Sequence, residues 1–289
     1  MKKRSFYILT ATLITTIYSC TKEYSLENGN ATSSLIIGTD CRLSKIDYYD
    51  SATNVPVGSI AARINLKDTV TDVTLFDSIG NNIGYNSMLA YSGDTIFIDP
   101  DQYFLIDPTT GRISHLHGVL SGSFFPFESD YFYDAGGNLV QKTYDFVGAG
   151  VSPAFVVNYT YLGGNLVHMT SMDMTLGGEL ISDADIDYYS NISPRKYLNL
   201  MPDETINSNF NHFSGLTQFF NFGNKPTNAI KTLKVRQYVS NVAVDSTVSN
   251  FTGYIMSRDN YVMSVYMLGD DQESIPAAVG KLVFSYKCK

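Results

Sequence analysis

From Arg42 to the C-terminus, apolar and polar residues alternate in short runs separated by Gly, Asn, Asp and Pro. Alternation with period two puts every second side chain on one face of a strand, so the pattern predicts half-buried strands joined by turns. A weak repeat recurs at Phe76–Asn81, Ile106–Ile113, Tyr133–Val140 and Tyr161–Val167. Each copy is a β-former, a turn of Asp, Gly or Asn, and a new β-former, which is hairpin chemistry. Copies lie roughly thirty residues apart, or two strands per unit. The prediction is a mainly all-β fold: an antiparallel up-and-down sheet, sandwich-like or strongly curled. Further strands are expected at 229–239, 250–256, 261–267 and 282–286, with a hairpin turn at Ser257–Asn260.

One stretch breaks this texture. Between Pro202 and Gly223, Ile206, Phe210, Phe213 and Phe220 recur at helical spacing. Pro202, Asp203 and Glu204 suit a helix start and Gly223 a stop, so one helix is expected near 203–221, packed on a face of the sheet.

The N-terminus has different patterning. A basic start (Lys2, Lys3, Arg4) precedes an apolar run from Phe6 to Tyr18 and then Ser19-Cys20. At 1.5 Å per residue this run reaches about 20 Å, short of a ~30 Å hydrocarbon core. Residues 1–19 therefore read as an export signal. Residues 20–40, rich in Ser, Thr, Asn and Gly, read as a flexible tether, and 41–289 as a single β-rich domain.

Composition narrows the function classes. The chain has 289 residues, 44% of them hydrophobic, which suffices for a real core. Its 20 basic and 28 acidic residues give −8; removing Lys2, Lys3 and Arg4 with the signal gives 17 − 28 = −11. A nucleic-acid partner, which needs a basic footprint, is excluded. Cys41 and Cys288 sit at the two edges of the domain, and an exported chain meets an oxidising compartment. They are expected to form a disulfide, the alternative being two buried thiols.

Ile17-Tyr18-Ser19-Cys20 resembles a bacterial lipobox, which implies that Cys20 is acylated and anchors the chain in a membrane. The following Thr21–Asn30 resembles the start of Bacteroidota lipoproteins, where a short charged stretch directs export to the outer surface. The turns Asp134–Asn138 and Gly163–Asn165 are similar to YD-type repeats of Rhs proteins. From about 41 to 289 the chain resembles Bacteroidota surface lipoproteins of unknown function. In these, tyrosine-rich hairpins lead to a segment such as Ile186–Asn191, a helical insert, and a returning polar loop, here Phe222–Asn228. The resemblance implies architecture and an outer-membrane, outward-facing address; it implies no catalytic residues. Five Asp-hydroxyl-aliphatic (or small) triplets resemble the O-glycosylation sequon of such proteins and make Ser51, Thr69, Ser78, Thr95 and Ser246 candidate acceptors. The alternative is that Asp-Ser and Asp-Thr simply start turns.

Catalytic motifs are missing: there is no GxSxG, HExxH or Walker loop. No catalytic residue and no cofactor other than calcium is expected. Asp183, Asp185 and Asp187 alternate along one strand, and calcium would relieve their mutual repulsion. Yet Tyr188 and Pro194 stand where an EF-hand needs Gly and Glu, so the alternative is a solvated acidic edge. Asp270, Asp271 and Glu273 form a second acidic turn. His115 and His117 share a strand face and could grip a metal, but no third ligand lies nearby in sequence. His168 and His212 read as surface or structural residues. Asp99 and Asp101 have the residue types of a glycosidase pair. Tyrosine is abundant and tryptophan absent, which favours cross-strand packing over sugar platforms. The leading expectation is a non-enzymatic binding or structural module with an unknown protein or glycan ligand. Glycan binding within a nutrient-uptake system and a carboxylate-dependent glycoside hydrolase are the alternatives.

Overall fold

The computed structural model describes residues 41–50, 53–67, 69–77, 79–99, 101–119, 126–146, 150–195, 218–269 and 280–288. They form one antiparallel sheet. In chain order its strands are β1 (Cys41–Asp50), β2 (Pro56–Ile64), β3 (Val70–Asp77), β4 (Asn82–Met88), β5 (Ala90–Ser92), β6 (Thr95–Asp99), β7 (Gln102–Ile106), β8 (Ile113–Val119) and β9 (Pro126–Tyr133). They continue with β10 (Leu139–Phe146), β11 (Phe155–Leu162), β12 (Asn165–Asp173), β13 (Glu179–Tyr188), β14 (Ile230–Val239), β15 (Val242–Met256), β16 (Val262–Gly269) and β17 (Gly280–Cys288). Almost every strand pairs with its sequence neighbours, and β1 also pairs with β17. The exception lies between β4 and β5, which together run as one strand interrupted at Leu89. There β4 pairs with β3, and β5 with β6. Counted so, the strand number is even, which lets first and last strands meet antiparallel. The sheet is thus a nearly closed barrel. Of the two expected forms the strongly curled one is observed, not a sandwich.

The repeat seen in the sequence has a structural counterpart. Six strands have a buried aliphatic residue at their first or second position: Val70, Ile113, Leu139, Leu166, Ile230 and Val262. In each, the register shifts one step further in, leaving one extra residue between paired positions. Such a bulge interrupts the ladder, and a buried carbonyl there needs another donor. For five of the six, a tyrosine near the end of the next strand supplies it. The hydroxyls of Tyr91, Tyr133, Tyr188, Tyr254 and Tyr286 donate to the carbonyls of Val70, Ile113, Leu166, Ile230 and Val262 at 2.6–2.8 Å. Burial drives the Tyr133, Tyr188 and Tyr286 phenols well above their ordinary value of 10.0.

All six bulged starts lie at the end of the barrel that also holds Cys41 and Cys288. A strap, residues 218–228, crosses hairpins at this end. Asn221 donates to the Gly111 carbonyl, Asn224 to Gly136 and Thr227 to Gly163, at 2.8–3.2 Å. Gly164 (φ +80°) lies so close to Thr227 that a Cβ would come within 2.7 Å of its methyl. Phe219 and Phe222 drop from the strap into the interior, and Phe222 meets the rings of Phe104 and Tyr131 at 5.7 and 5.2 Å. Most of the helix expected near 203–221 falls outside the described residues. Of its end, Gln218 is in 3₁₀ conformation and 219–220 are turn and bend, where Phe219 packs into the barrel.

The barrel is apolar within and polar without. Inward residues Ile46, Ile60, Phe104, Tyr144, Met169, Phe251 and Phe284 are at most 2% exposed and belong to one continuous buried cluster. Each contributes about 1.5–3 kcal/mol by leaving water. Alternation puts Lys45, Asp47, Arg63, Glu128, Asp130, Gln141, Asn158, Lys234 and Arg236 on the outer face. Buried inward serines such as Ser129 and Ser182 interrupt this pattern, and Lys142 is an inward charge: its ammonium lies 4.3 Å from the Tyr144 ring centroid and 5.3 Å from that of Tyr131.

The Cys41–Cys288 disulfide joins directly opposed residues across the β1–β17 seam, 247 positions apart in sequence. Replacing both with Ser should lower unfolding free energy by about 2–5 kcal/mol in denaturant titrations. The buried tyrosines set an alkaline limit. Below pH 10 their contribution is complete. Above it, the unfolded chain sheds phenolic protons that the folded chain retains, so stability falls by about 1.4 kcal/mol per pH unit for each such tyrosine. Absorbance titration should show their ionisation coinciding with unfolding; free ionisation near pH 10 in a folded protein would contradict this account.

Candidate functional site

Polar chemistry gathers on the outer face in two clusters. The first spans β6 to β10. Register aligns Phe97, Tyr103, His117, Glu128 and Asp145 in one row across five strands, and Leu105, His115, Asp130 and Thr143 in the next. The Tyr103 and His117 rings stack at 5.0 Å, and Phe97 meets Tyr103 at 5.9 Å. Both imidazoles bind carboxylates. His115 Nδ1 lies 2.6 Å from Asp130, and its Nε2 lies 2.8 Å from Glu128 Oε2. His117 Nδ1 lies 2.7 Å from the other Glu128 oxygen. Each of these contacts pairs a ring nitrogen with a carboxylate oxygen across the β8–β9 ladder. The result is a chain, Asp130–His115–Glu128–His117, on a half-exposed surface.

The second cluster lies on β12–β14 and contains the predicted acidic triad. Arg236 grips Asp183 with two bonds, 2.6 and 3.0 Å, and reaches Asp185 at 2.7 Å. Tyr238 donates to Asp183, His168 bonds Asp185, and Thr232 donates to Asp187. Asp183 is buried at 6% exposure, and its bonds hold the Arg236 guanidinium well above its usual range. The three aspartates do share a face, as expected. The positive charge expected of calcium is supplied by Arg236 for two of them.

Among the described residues, no group of three or more His, Cys, Asp or Glu side chains surrounds a point where a metal ion could sit. Asp99 and Asp101 share the β6–β7 turn, with Asp99 accepting from the Asp101 amide at 2.9 Å, a turn cap and not a pair across a cleft. Cys20, Ser51, Ser78, His212, Asp270, Asp271 and Glu273 lie outside the described residues. Thr69 and Thr95 are half-buried beside hairpin turns, and Ser246 is exposed on β15.

Sequence reasoning missed Glu128, Asp130, Arg236 and Lys142. Only strand register brings the first three to their partners, and no local motif marks it. The tyrosine–turn–aliphatic repeat was visible but signalled structure.

No family model matches the chain, and no curated protein matches it in sequence. Among solved structures it is similar to a porin-like protein from Bacteroides uniformis, with TM-score 0.57, 10% identity, and 85% of this chain and 96% of that chain covered. A porin-like protein from Bacteroides vulgatus gives TM-score 0.47 at 11% identity, covering 86% and 99%. The Photorhabdus luminescens Tc holotoxin pore gives 0.23 at 12%, covering 76% of this chain and 12% of that one. The first likeness shows a shared fold.

Proposed function

We propose that this chain is a lipid-anchored module of the outer envelope, tethered through Cys20, whose barrel stands in water and acts by binding or scaffolding, not catalysis. The polarity of the barrel carries this reading. A barrel that spans a bilayer shows lipid an apolar band and keeps a polar lumen. Here the apolar cluster is inside, and Lys45, Asp47, Glu128, Asp130, Lys234 and Arg236 occupy the outer face in mid-strand. Placing such charges against hydrocarbon costs up to about 2–4 kcal/mol for each Arg or Lys. The resemblance to a porin-like protein therefore supports the architecture and not a pore. Two or three acyl chains would hold the protein firmly, since each buried methylene contributes about 0.8 kcal/mol.

The test is fractionation. The wild-type protein should partition with membranes, and Cys20→Ala should move it wholly to the soluble fraction with its barrel folded. A Cys20→Ala protein that resists carbonate extraction would be a membrane-inserted barrel and would overturn the reading.

Glycan capture is the second reading, favoured by the ring row Phe97–Tyr103–His117 ending on Glu128. It predicts saturable binding to a polysaccharide, weakened at least tenfold by Tyr103→Ala. Binding unaltered by that change would remove the row from consideration.

A further inference from the structure

Charge is sorted along the barrel axis. The end that holds Cys41 carries exposed bases on adjoining strands and turns: Lys231 on β14, Arg258 in the β15–β16 turn, Lys287 on β17, and Arg63 and Lys67 on the β2–β3 hairpin. Arg195 joins them, since its amide donates to the Asn260 carbonyl at 2.6 Å. These six flank Cys41, where the chain enters the barrel from the tether. Among the described residues none of the six forms an ion pair, whereas Arg236 on the barrel wall is gripped by two aspartates. Three acids share the sector, but Asp72 and Asp187 accept from Thr74 and Thr232, and Asp259 is half-buried. The opposite end is acidic: Asp50, Asp99, Asp145, Asp173, Glu179 and Asp245 lie there, and among the described residues they face one base, Lys281. At the tip of the β2–β3 hairpin Leu66 is 98% exposed, beside Lys67. An aliphatic side chain wholly in water and flanked by cations has the form of an interfacial anchor, in which the leucine enters the acyl boundary and the bases meet the phosphates above it.

We propose that the Cys41 end of the barrel docks on an anionic lipid headgroup surface, with Leu66 inserted and Arg63, Lys67, Arg258 and their neighbouring bases on the phosphates. The inference rests on the anchored reading. A flexible tether of about twenty residues spans roughly 25 Å on average, so an anchor at Cys20 keeps this end, and no other, within reach of the headgroups. The overall excess of acid does not oppose docking. Strands of eight to ten residues, such as β1, β2 and β17, carry the barrel wall roughly 25 Å from end to end. The acidic rim therefore lies well beyond the ~8 Å over which charge is felt at physiological ionic strength. It fixes orientation instead, basic end to the membrane and acidic end away from it.

The experiment is vesicle sedimentation with the mature chain from residue 20, disulfide-intact and left unacylated by Cys20→Ala. Mixed phosphatidylglycerol–phosphatidylcholine vesicles should bind it, pure phosphatidylcholine should not, and binding should fall steeply with added salt. Changing Arg63, Lys67 and Arg258 together to Gln should weaken binding about a hundredfold, near fivefold for each base. Lys281→Gln at the opposite end should leave it unchanged. All four side chains are on the surface, so circular dichroism should stay unchanged and separate lost docking from lost fold. The chain has no tryptophan, so Leu66→Trp supplies a single reporter of depth. Its emission should shift to the blue on the mixed vesicles and be quenched by brominated lipid, whereas that of Val242→Trp at the opposite end should not. Absence of binding by the folded protein, or unshifted Leu66→Trp emission on bound vesicles, would overturn the proposal. Tighter binding to heparin than to vesicles would also overturn it and make the patch a site for a soluble polyanion. Because no acyl chain is present, failure here leaves the Cys20 anchor untouched, and that is tested by fractionation.

Discussion

The pairing of β1 with β17 is the contact on which the rest of the molecule depends. An up-and-down sheet has two edges, each a row of unpaired backbone donors and acceptors. Joining them removes both edges at once and turns a two-faced sheet into a barrel with an inside. Inward residues from β1 to β17 then share one core, although most are distant in sequence. The Cys41–Cys288 bond sits at the end of this seam, where fraying would start.

Closure requires curvature, and the bulges supply it at a cost in backbone bonding. Six strands carry the same shift near their start, and the tyrosine hydroxyls meet carbonyls that the shifted ladder leaves over. The same residues fill the interior with rings. One side chain type thus serves both the polar and the apolar demands of a strand end. The strap completes that end: its Asn and Thr side chains satisfy hairpin carbonyls while its phenylalanines continue the core outward.

With the inside committed to packing, chemistry is left to the outside. The outer clusters are built across strands, each strand lending one or two polar residues. A barrel of this kind offers a broad outer surface, which the proposed binding or scaffolding role would use. It also separates the two acidic groups by role. Asp183 is buried and neutralised by arginine, a stabilising arrangement. Glu128 and Asp130 bond imidazoles at a half-open surface.

Much of this architecture is local and so was written in the sequence. Alternation and Asp-Gly-Asn turns marked the hairpins at Ile106–Ile113, Tyr133–Val140 and Tyr161–Val167, because strand period and turn chemistry act over a few residues. Cys41 and Cys288 at the domain edges pointed to their bond. The helical spacing of Ile206, Phe210 and Phe213 lies outside the described residues, and Phe219, which that spacing did not include, is one of the two buried on the strap. What only the tertiary structure decided was everything set by register and closure. A one-residue slip would put Glu128 inside and Phe127 outside, and no neighbour in sequence records which register wins. The carboxylates that bond His115 and His117 stand on the next strand, and Arg236 reaches Asp183 from more than fifty residues away. Those meetings are fixed by burial of the shared core, a property of the closed barrel and not of any segment of it.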